Sequence, residues 1–427
     1  MPRSTASCGC GIASAWSRPG SARHVNVLLV SNLFPPYWVG GYEQIAGWIA
    51  DGLRERGHQV RVLTGRGPAF AASDAVLPEL DLDLDGLPER YFSTGIGDAG
   101  VAQALVRHVF SSRNYLACRR AIARLRPDVV SFWNPAYISF SPLLAARRAR
   151  VPVALHLSDT VANPFRNPHP PNLPRGLRPA ARLAVDVTLW LSRPARVVVP
   201  SEFLRRKLMQ GERLPKQRLT VLHWPVEPSL SRAEPPARPP EAVRRLLFVG
   251  SLIPEKGPHV LLEALRIAAH RAPGLELTFL GDGPPDYVGG LRERSQGLPV
   301  RFLGRQDRAG VTRAYATHGI LVFPSVWDEP YAVVPLEAMA MGLAVIATTA
   351  GGTPEAIADG RTGLLVPPGS PEPLAEAILS LAQAPELAAR LAAAGCARVR
   401  REQSFPIFME RLESLYRELS RAPADGR

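Results

Sequence analysis

Short apolar runs alternate with helix-patterned stretches along nearly the whole chain, and the alternation is interrupted once. A first series holds residues 25–30 (VNVLLV), 59–63, 128–133, 152–157, 196–199 and 219–224. A second holds 245–250 (RLLFVG), 275–281 (LELTFLG), 300–304, 319–324 (GILVFP), 344–348 and 363–366. Several runs are apolar throughout, as strands covered on both faces are, and strands spaced by helices imply parallel sheets in an α/β protein. Helical periodicity is plain where Ile45, Ile49 and Leu53 share a face, with Gly57 as the stop. Between 225 and 240 the pattern dissolves into Pro, Glu, Ser and Arg, which neither join a central strand nor continue a helix.

A chain of 427 residues, 46% hydrophobic, exceeds what one core holds. The expected organisation is a tail at 1–23, a Rossmann-like domain at 24–225, a Pro-rich linker at 226–241, a second domain at 242–403, a helix at 404–420 and a tail at 421–427. Residues 1–23 lack the apolar stretch of a signal peptide and read as a disordered tail or a start assigned too early. Open parallel sheets bind ligands beyond their strand C-terminal ends, so the site is expected between the domains.

The four cysteines, Cys8, Cys10, Cys118 and Cys396, show no C-x-x-C spacing and are too few to staple the chain, which fits a reducing cytoplasm. No apolar run approaches the ~20 residues that cross a bilayer, and the stretch 183–191 is broken by Asp186. The net charge of +13 is uneven: residues 101–218 hold 21 Lys and Arg against 5 Asp and Glu. Two readings stay open, arginine-rich codon usage scattered over all faces, or an electrostatic role toward an anionic partner.

The residues with most chemical content are Glu329 and Glu337 in EPYAVVPLE, after one strand and at the start of a helix whose first turn accommodates Pro335. Free amides near Val333 and Val334, with the helix dipole behind them, suit a diphosphate. Glu337 can accept hydrogen bonds from a ribose diol. Alone, such a pair is more often a solvated helix start. Lys256 in GSLIPEKG is a second candidate for phosphate charge, although a lysine in such a turn is ordinarily exposed and inert. Gly40 and Gly41, before the first helix, allow close approach of the main chain to a ligand, or simply a tight turn; they lack the G-x-G-x-x-G spacing of a dinucleotide site. His156 and His223 each end a strand. Such a histidine is often a core residue, and for His223 that reading is preferred. The acidic run DLDLD at 81–85 is expected in a solvated loop and is rejected as a metal site.

The linked motifs EPYAVVPLEAMAMG, AVIA, GGTPE and GRTGLLV resemble the donor-binding domain of the family four retaining glycosyltransferases of GT-B fold, closely over 245–381 and more weakly over 25–225. The resemblance implies two Rossmann-like domains facing a cleft, the first for the acceptor and the second for a nucleotide sugar, with the terminal helix carrying Phe408, Leu412, Leu415 and Leu419 crossing back to the first. It implies His156 and Glu329 as catalytic residues. Gly40, Gly41, Ser251, Lys256, Arg305, Tyr331, Ala332, Val333, Val334 and Glu337 are implied as donor-binding. Ser251 stands where the family has arginine, with Arg305 as a candidate for the missing charge. Ala332 replaces a usual glycine, and Asp159 lies three residues after His156 where an acidic residue commonly follows directly. The expected activity is hexose-type transfer from an NDP-sugar to a glycan or lipid-linked acceptor, with no cofactor and no metal. Expected partners are the donor, the acceptor and an anionic membrane at its cytoplasmic face, not nucleic acid. Alternatives are an NDP-sugar epimerase of the same fold and a lapsed nucleotide-sugar-binding relative.

Overall fold

The computed structural model describes residues 24–37, 41–70, 75–84, 100–133, 135–158, 173–211 and 218–421. In the first part of the chain, strands β1 (Asn26–Ser31), β2 (Gln59–Arg66), β3 (Val76–Asp83), β4 (Val129–Trp133), β5 (Val153–His156), β6 (Arg196–Val199) and β7 (Leu219–Val221) form one parallel sheet in the order β3-β2-β1-β4-β5-β6-β7. Helices α1 (Gly41–Glu55), α2 (Val101–His108), α3 (Ser112–Leu125), α4 (Ser141–Arg148), α5 (Arg178–Ser192) and α6 (Glu202–Gly211) connect them. The strand order reverses between β1 and β4. Since crossovers in such sheets are right-handed, α1 covers one face and α3, α4 and α5, which pack side by side, cover the other.

The second part begins with a short helix α7 (Pro228–Arg232) and continues through β8 (Arg245–Val249), α8 (Pro258–Ala269), β9 (Glu276–Leu280), α9 (Pro285–Arg294), β10 (Val300–Phe302), α10 (Arg308–Thr317), β11 (Ile320–Phe323), α11 (Val333–Ala340), β12 (Ala344–Thr348), α12 (Thr353–Ala356), β13 (Leu364–Val366), α13 (Pro371–Gln383) and α14 (Pro385–Glu402). Its parallel sheet has the order β10-β9-β8-β11-β12-β13, reversing between β8 and β11. The last helix, α15 (Phe405–Arg421), returns to the first domain. Phe405, Phe408, Met409, Leu412, Leu415, Tyr416 and Leu419 join that domain's core, packing on α1 and β4.

Two readings of the sequence are corrected here. Residues 81–83 of the acidic run are not loop but the end of edge strand β3: Leu80 and Leu82 turn inward and Asp81 outward to Arg66 and Arg113. Period-two alternation favours a strand even when every second residue is charged. The linker, expected to be without helix, holds α7, because Pro228 sits in the first turn where its missing N–H costs nothing.

The two crossings between domains are stitched together. Val226 donates its amide to the Gln403 carbonyl (3.0 Å), and the Phe405 amide donates to Ser231 Oγ (2.9 Å). Further along the linker, the Arg238 guanidinium donates to carbonyls of Tyr315, His318, Met341 and Gly342. One half-buried cation thus serves the C-terminal ends of both α10 and α11, where carbonyls lack intrahelical partners.

Candidate active site

In the second domain, β8 and β11 are neighbours at the reversal of strand order, so the loops after them lie side by side in the crevice that such a reversal opens. Lys256 comes from the loop after β8 and Glu329 from the loop after β11, and they meet as an ion pair of 2.6 Å. Ser325 Oγ donates to the same Glu329 oxygen at 2.7 Å. Glu329 is buried and Lys256 half-buried, which strengthens the pair relative to one in water. The approach of the loops depends on glycine. At Gly257 (φ 68°) a Cβ would stand 2.1 Å from the Pro324 carbonyl oxygen, and at Gly351 (φ 61°) 2.4 Å from the Glu329 nitrogen.

The residues between Glu329 and Glu337 lead into α11. Ala332 is its N-cap, extended with φ −88°, a conformation that any residue adopts, so the alanine in place of glycine introduces no backbone strain. Its methyl caps nothing, leaving the first amides of α11, those of Val333 and Val334, without a side-chain acceptor at the cap. Glu337 is buried on α11. Arg308 Nη2 donates to one of its oxygens (2.9 Å) and the Tyr315 hydroxyl to the other (2.9 Å). Arg308 also pairs with Glu227. Burial, and then the Glu337 charge, push the Tyr315 hydroxyl well above its usual range, so it stays a donor. A carboxylate has about four lone-pair positions, so these two bonds leave Glu337 able to accept more.

Arg305, named from sequence as a candidate charge, is exposed on the loop after β10. The arginine brought to Glu337 is Arg308, the first residue of α10, directly after Asp307, which caps the helix by accepting from the Gly310 amide. Ser251 is half-buried just after β8, in the same loop as Lys256.

In the first domain the reversal lies between β1 and β4, and the chemistry there is aromatic. Trp133 ends β4 and His156 ends β5; they are register partners and their rings stack at 4.1 Å and 12°. His156 Nε2 lies 3.3 Å from the Tyr416 hydroxyl of α15, which also bonds Ser131 Oγ at 2.6 Å. Tyr42 of α1 donates to the His156 carbonyl (3.1 Å). Burial lowers the His156 pKa to about 3, so the ring is neutral. The structure therefore sets His156 in a buried, hydrogen-bonded stack with Trp133 and Tyr416. Gly41 is the exposed first residue of α1 with open space where a Cβ would stand; Gly40 and Asp159 lie outside the described residues.

The domains touch where their strand C-terminal ends face each other. Glu355, in α12, accepts from the Glu202 and Phe203 amides at the start of α6 (2.7 Å each), acting as an N-terminal cap supplied from the other domain. His223 lies 3.2 Å from the same carboxylate and stacks on Tyr331 at 5.1 Å, and Lys207 pairs with Asp328 at 2.9 Å. Burial alone would raise Glu355, but hydrogen bonds from His223 and the two amides outweigh it and hold the carboxyl below its usual range. Thus Tyr331 and His223 meet at the domain interface. Sequence reasoning read His223 as structural and did not single out Arg308, Tyr315, Ser325 or Trp133.

Residues 40–225 match the family model described as glycosyl transferase 4-like domain, and residues 243–384 the one described as glycosyl transferases group 1. The chain belongs to this glycosyltransferase family. Among relatives of the family, phosphatidyl-myo-inositol mannosyltransferase of Mycobacterium leprae is 29% identical over 374 residues, 85% of this chain and 89% of that one. Its namesake in Mycobacterium tuberculosis is 34% identical over 167 residues, 38% of this chain and 44% of that one. Sucrose-phosphate synthase of Thermosynechococcus elongatus superposes with TM-score 0.70 at 20% identity, covering 93% of this chain and 99% of that one. HepE of Anabaena in complex with UDP-glucose gives TM-score 0.64 at 20% identity, covering 92% and 99%. The fold is that of the GT-B glycosyltransferases, two Rossmann-like domains with parallel sheets of seven and six strands among the described residues.

Proposed function

We propose that this glycosyltransferase moves a hexose-type sugar from a nucleoside diphosphate sugar to a glycan or lipid-linked acceptor, with retention at the reacting carbon and without a metal ion. The observation that carries the reading is the Lys256–Glu329–Ser325 cluster at the strand reversal, beside the uncapped start of α11. A departing nucleoside diphosphate gathers negative charge, and preorganised donors at that place lower the barrier. Lys256 has three N–H donors, enough to hold Glu329 and a phosphate oxygen together; the Val333 and Val334 amides supply the rest. Glu329 orients the donor, and Glu337 accepts from the ribose. The bond from the sugar carbon to the phosphate oxygen breaks, the acceptor oxygen bonds on the same face, and the acceptor proton passes to the departing phosphate. His156, neutral, hydrogen-bonds the sugar through the ring edge that Tyr416 does not occupy.

The UDP-glucose bound to HepE supports a nucleotide-sugar donor. The likeness to mannosyltransferases named for phosphatidyl-myo-inositol supports a lipid-linked acceptor, and the positive excess of residues 101–218 is our ground for placing the work at the cytoplasmic face of an anionic membrane. The test is a screen of NDP-sugars for hydrolysis or transfer, with and without EDTA. Turnover that survives EDTA is expected. An absolute, restorable need for Mn²⁺ or Mg²⁺ would refute the metal-free mechanism. Interconversion of the donor sugar with nucleotide still attached would mark an epimerase, and binding without turnover a lapsed relative.

A further inference from the structure

Helix α5 carries apolar side chains on both its core-facing and its outer side. An amphipathic helix turns apolar residues to the core and charged ones outward. Here the inward face holds Ala181, Val185 and Leu189 together with Asp186, Thr188 and Ser192, yet the outward face also carries Leu183, Val187, Trp190 and Leu191 at helical spacing. Leu183 is 56% exposed and Trp190 59%, large values for such side chains in a contiguous row. Arg193 stacks its guanidinium over the Trp190 ring at 5.5 Å, at the end of the stripe.

Beside α5 lies α4, which packs against it. Its C-terminal end opens a cavity of about 580 Å³ lined by Phe110, Tyr115, Leu144, Arg147, Arg148 and Arg150. The three arginines meet no carboxylate among the described residues, although ion pairs are numerous elsewhere in the molecule. The same stretch, 101–218, holds the whole excess of positive charge. α2 continues the theme, with Val101, Leu105 and Val106 exposed.

We propose that the outer face of α5, with the arginine-lined cavity at the end of the neighbouring α4, docks this enzyme onto an anionic lipid bilayer. The stripe enters the boundary between headgroups and acyl chains, where a tryptophan with a polar edge is favoured. The arginines take lipid phosphates, to which guanidinium presents a two-pronged donor. Charge complementarity chooses a bilayer over a second copy of this chain, because two copies meeting here would bring their unpaired arginines together. The face belongs to the helical layer opposite α1 and α15, leaving the cleft free. The proposal gives the membrane reading above a specific surface, and it is measured with no donor present, so its failure and that of the transfer reaction are separate results.

The experiment is co-sedimentation of the full chain with vesicles of phosphatidylcholine alone, or mixed with phosphatidylglycerol, at low and high salt. The wild type should pellet with the mixed vesicles at low salt and be released as salt screens the attraction. Arg147→Gln/Arg148→Gln/Arg150→Gln should weaken binding about a hundredfold, and Leu183→Asp/Trp190→Asp about tenfold or more. All these positions are half-buried or exposed, and thermal melting checks that the variants fold. A wild type that stays in solution, equal pelleting with both vesicles, or variants that bind as wild type would overturn the proposal. So would a wild-type dimer that Leu183→Asp/Trp190→Asp splits into monomers, since the stripe would then be a subunit interface.

Discussion

The two domains place a site at the same point of the same topology, the reversal of strand order, and furnish it in opposite ways. Between β8 and β11 stand ions: Lys256 on Glu329, Arg308 between Glu337 and Glu227. Near β1 and β4 stands a neutral stack, Trp133 on His156 with Tyr416 at its edge. The fold supplies a crevice; side chains decide what it takes. A charged leaving group needs a site of fixed charges, and a sugar ring or acceptor needs a shaped, dry wall.

The sharpest way to break this contrast is to remove one charge. Lys256→Met is expected to lower kcat about a hundredfold or more, whereas His156→Gln, with the stack intact, should lower it about tenfold. Equal losses in steady-state assays would mean that the aromatic half carries as much of the chemistry as the ionic half. Next in size is Glu337→Ala, which removes the proposed ribose acceptor, takes the Tyr315 hydroxyl's partner and leaves Arg308 with Glu227 alone. Nucleoside diphosphate binding by calorimetry should weaken by about 1.5–3 kcal/mol; unchanged affinity would remove Glu337 from the donor site.

Acid should act on the neutral half first. With a folded pKa lowered to about 3 and an unfolded value near 6.5, His156 stays uncharged in the folded chain while the unfolded chain takes up a proton. Its contribution is fully present above about pH 6.5 and is lost progressively as pH falls toward 3, the loss reaching about 2 kcal/mol at pH 5. Denaturant melts of wild type and His156→Gln should converge as pH drops from 7 to 5. Parallel stability curves would mean that the histidine is not held neutral. Glu355, whose folded pKa is lowered, loses its contribution only at lower pH, as the carboxyl itself protonates. The smallest expected effect belongs to Glu355→Gln, about 1 kcal/mol, because the α6 amides keep a neutral acceptor. Small-angle scattering should show a looser arrangement of domains; an unchanged profile would confine Glu355 to local capping.

Much of this was legible because it is local. The apolar runs gave most of the strands, the proline-rich stretch the boundary, and Pro335 the start of the helix that carries Glu337. What escaped depends on pairing across the chain. Glu355 caps a helix 153 residues away, and Arg308 reaches Glu337 from another helix, so neither bond leaves a mark in its own neighbourhood. Arg308 did carry one cue, a basic residue directly after the helix cap Asp307. β3 was missed for a different reason: its acidic alternation was read as polarity when its period was the signal.

The crossing back of α15 has a consequence for the order in which the molecule is made. Seventeen residues at the end of the chain fill the core of the domain that begins it. Gly52 of α1 leaves the space that Phe405 occupies, since a Cβ there would stand 2.8 Å from the Phe405 ring. Tyr416 brings the hydroxyl that Ser131 and His156 share. Domains generally fold as they emerge from the ribosome, the first one first. Here the first domain stays open along α1 and β4 until the second has been synthesised, and its aromatic stack is completed last. The second domain is in effect a long insertion within the first, and its synthesis precedes the completion of the first domain's core.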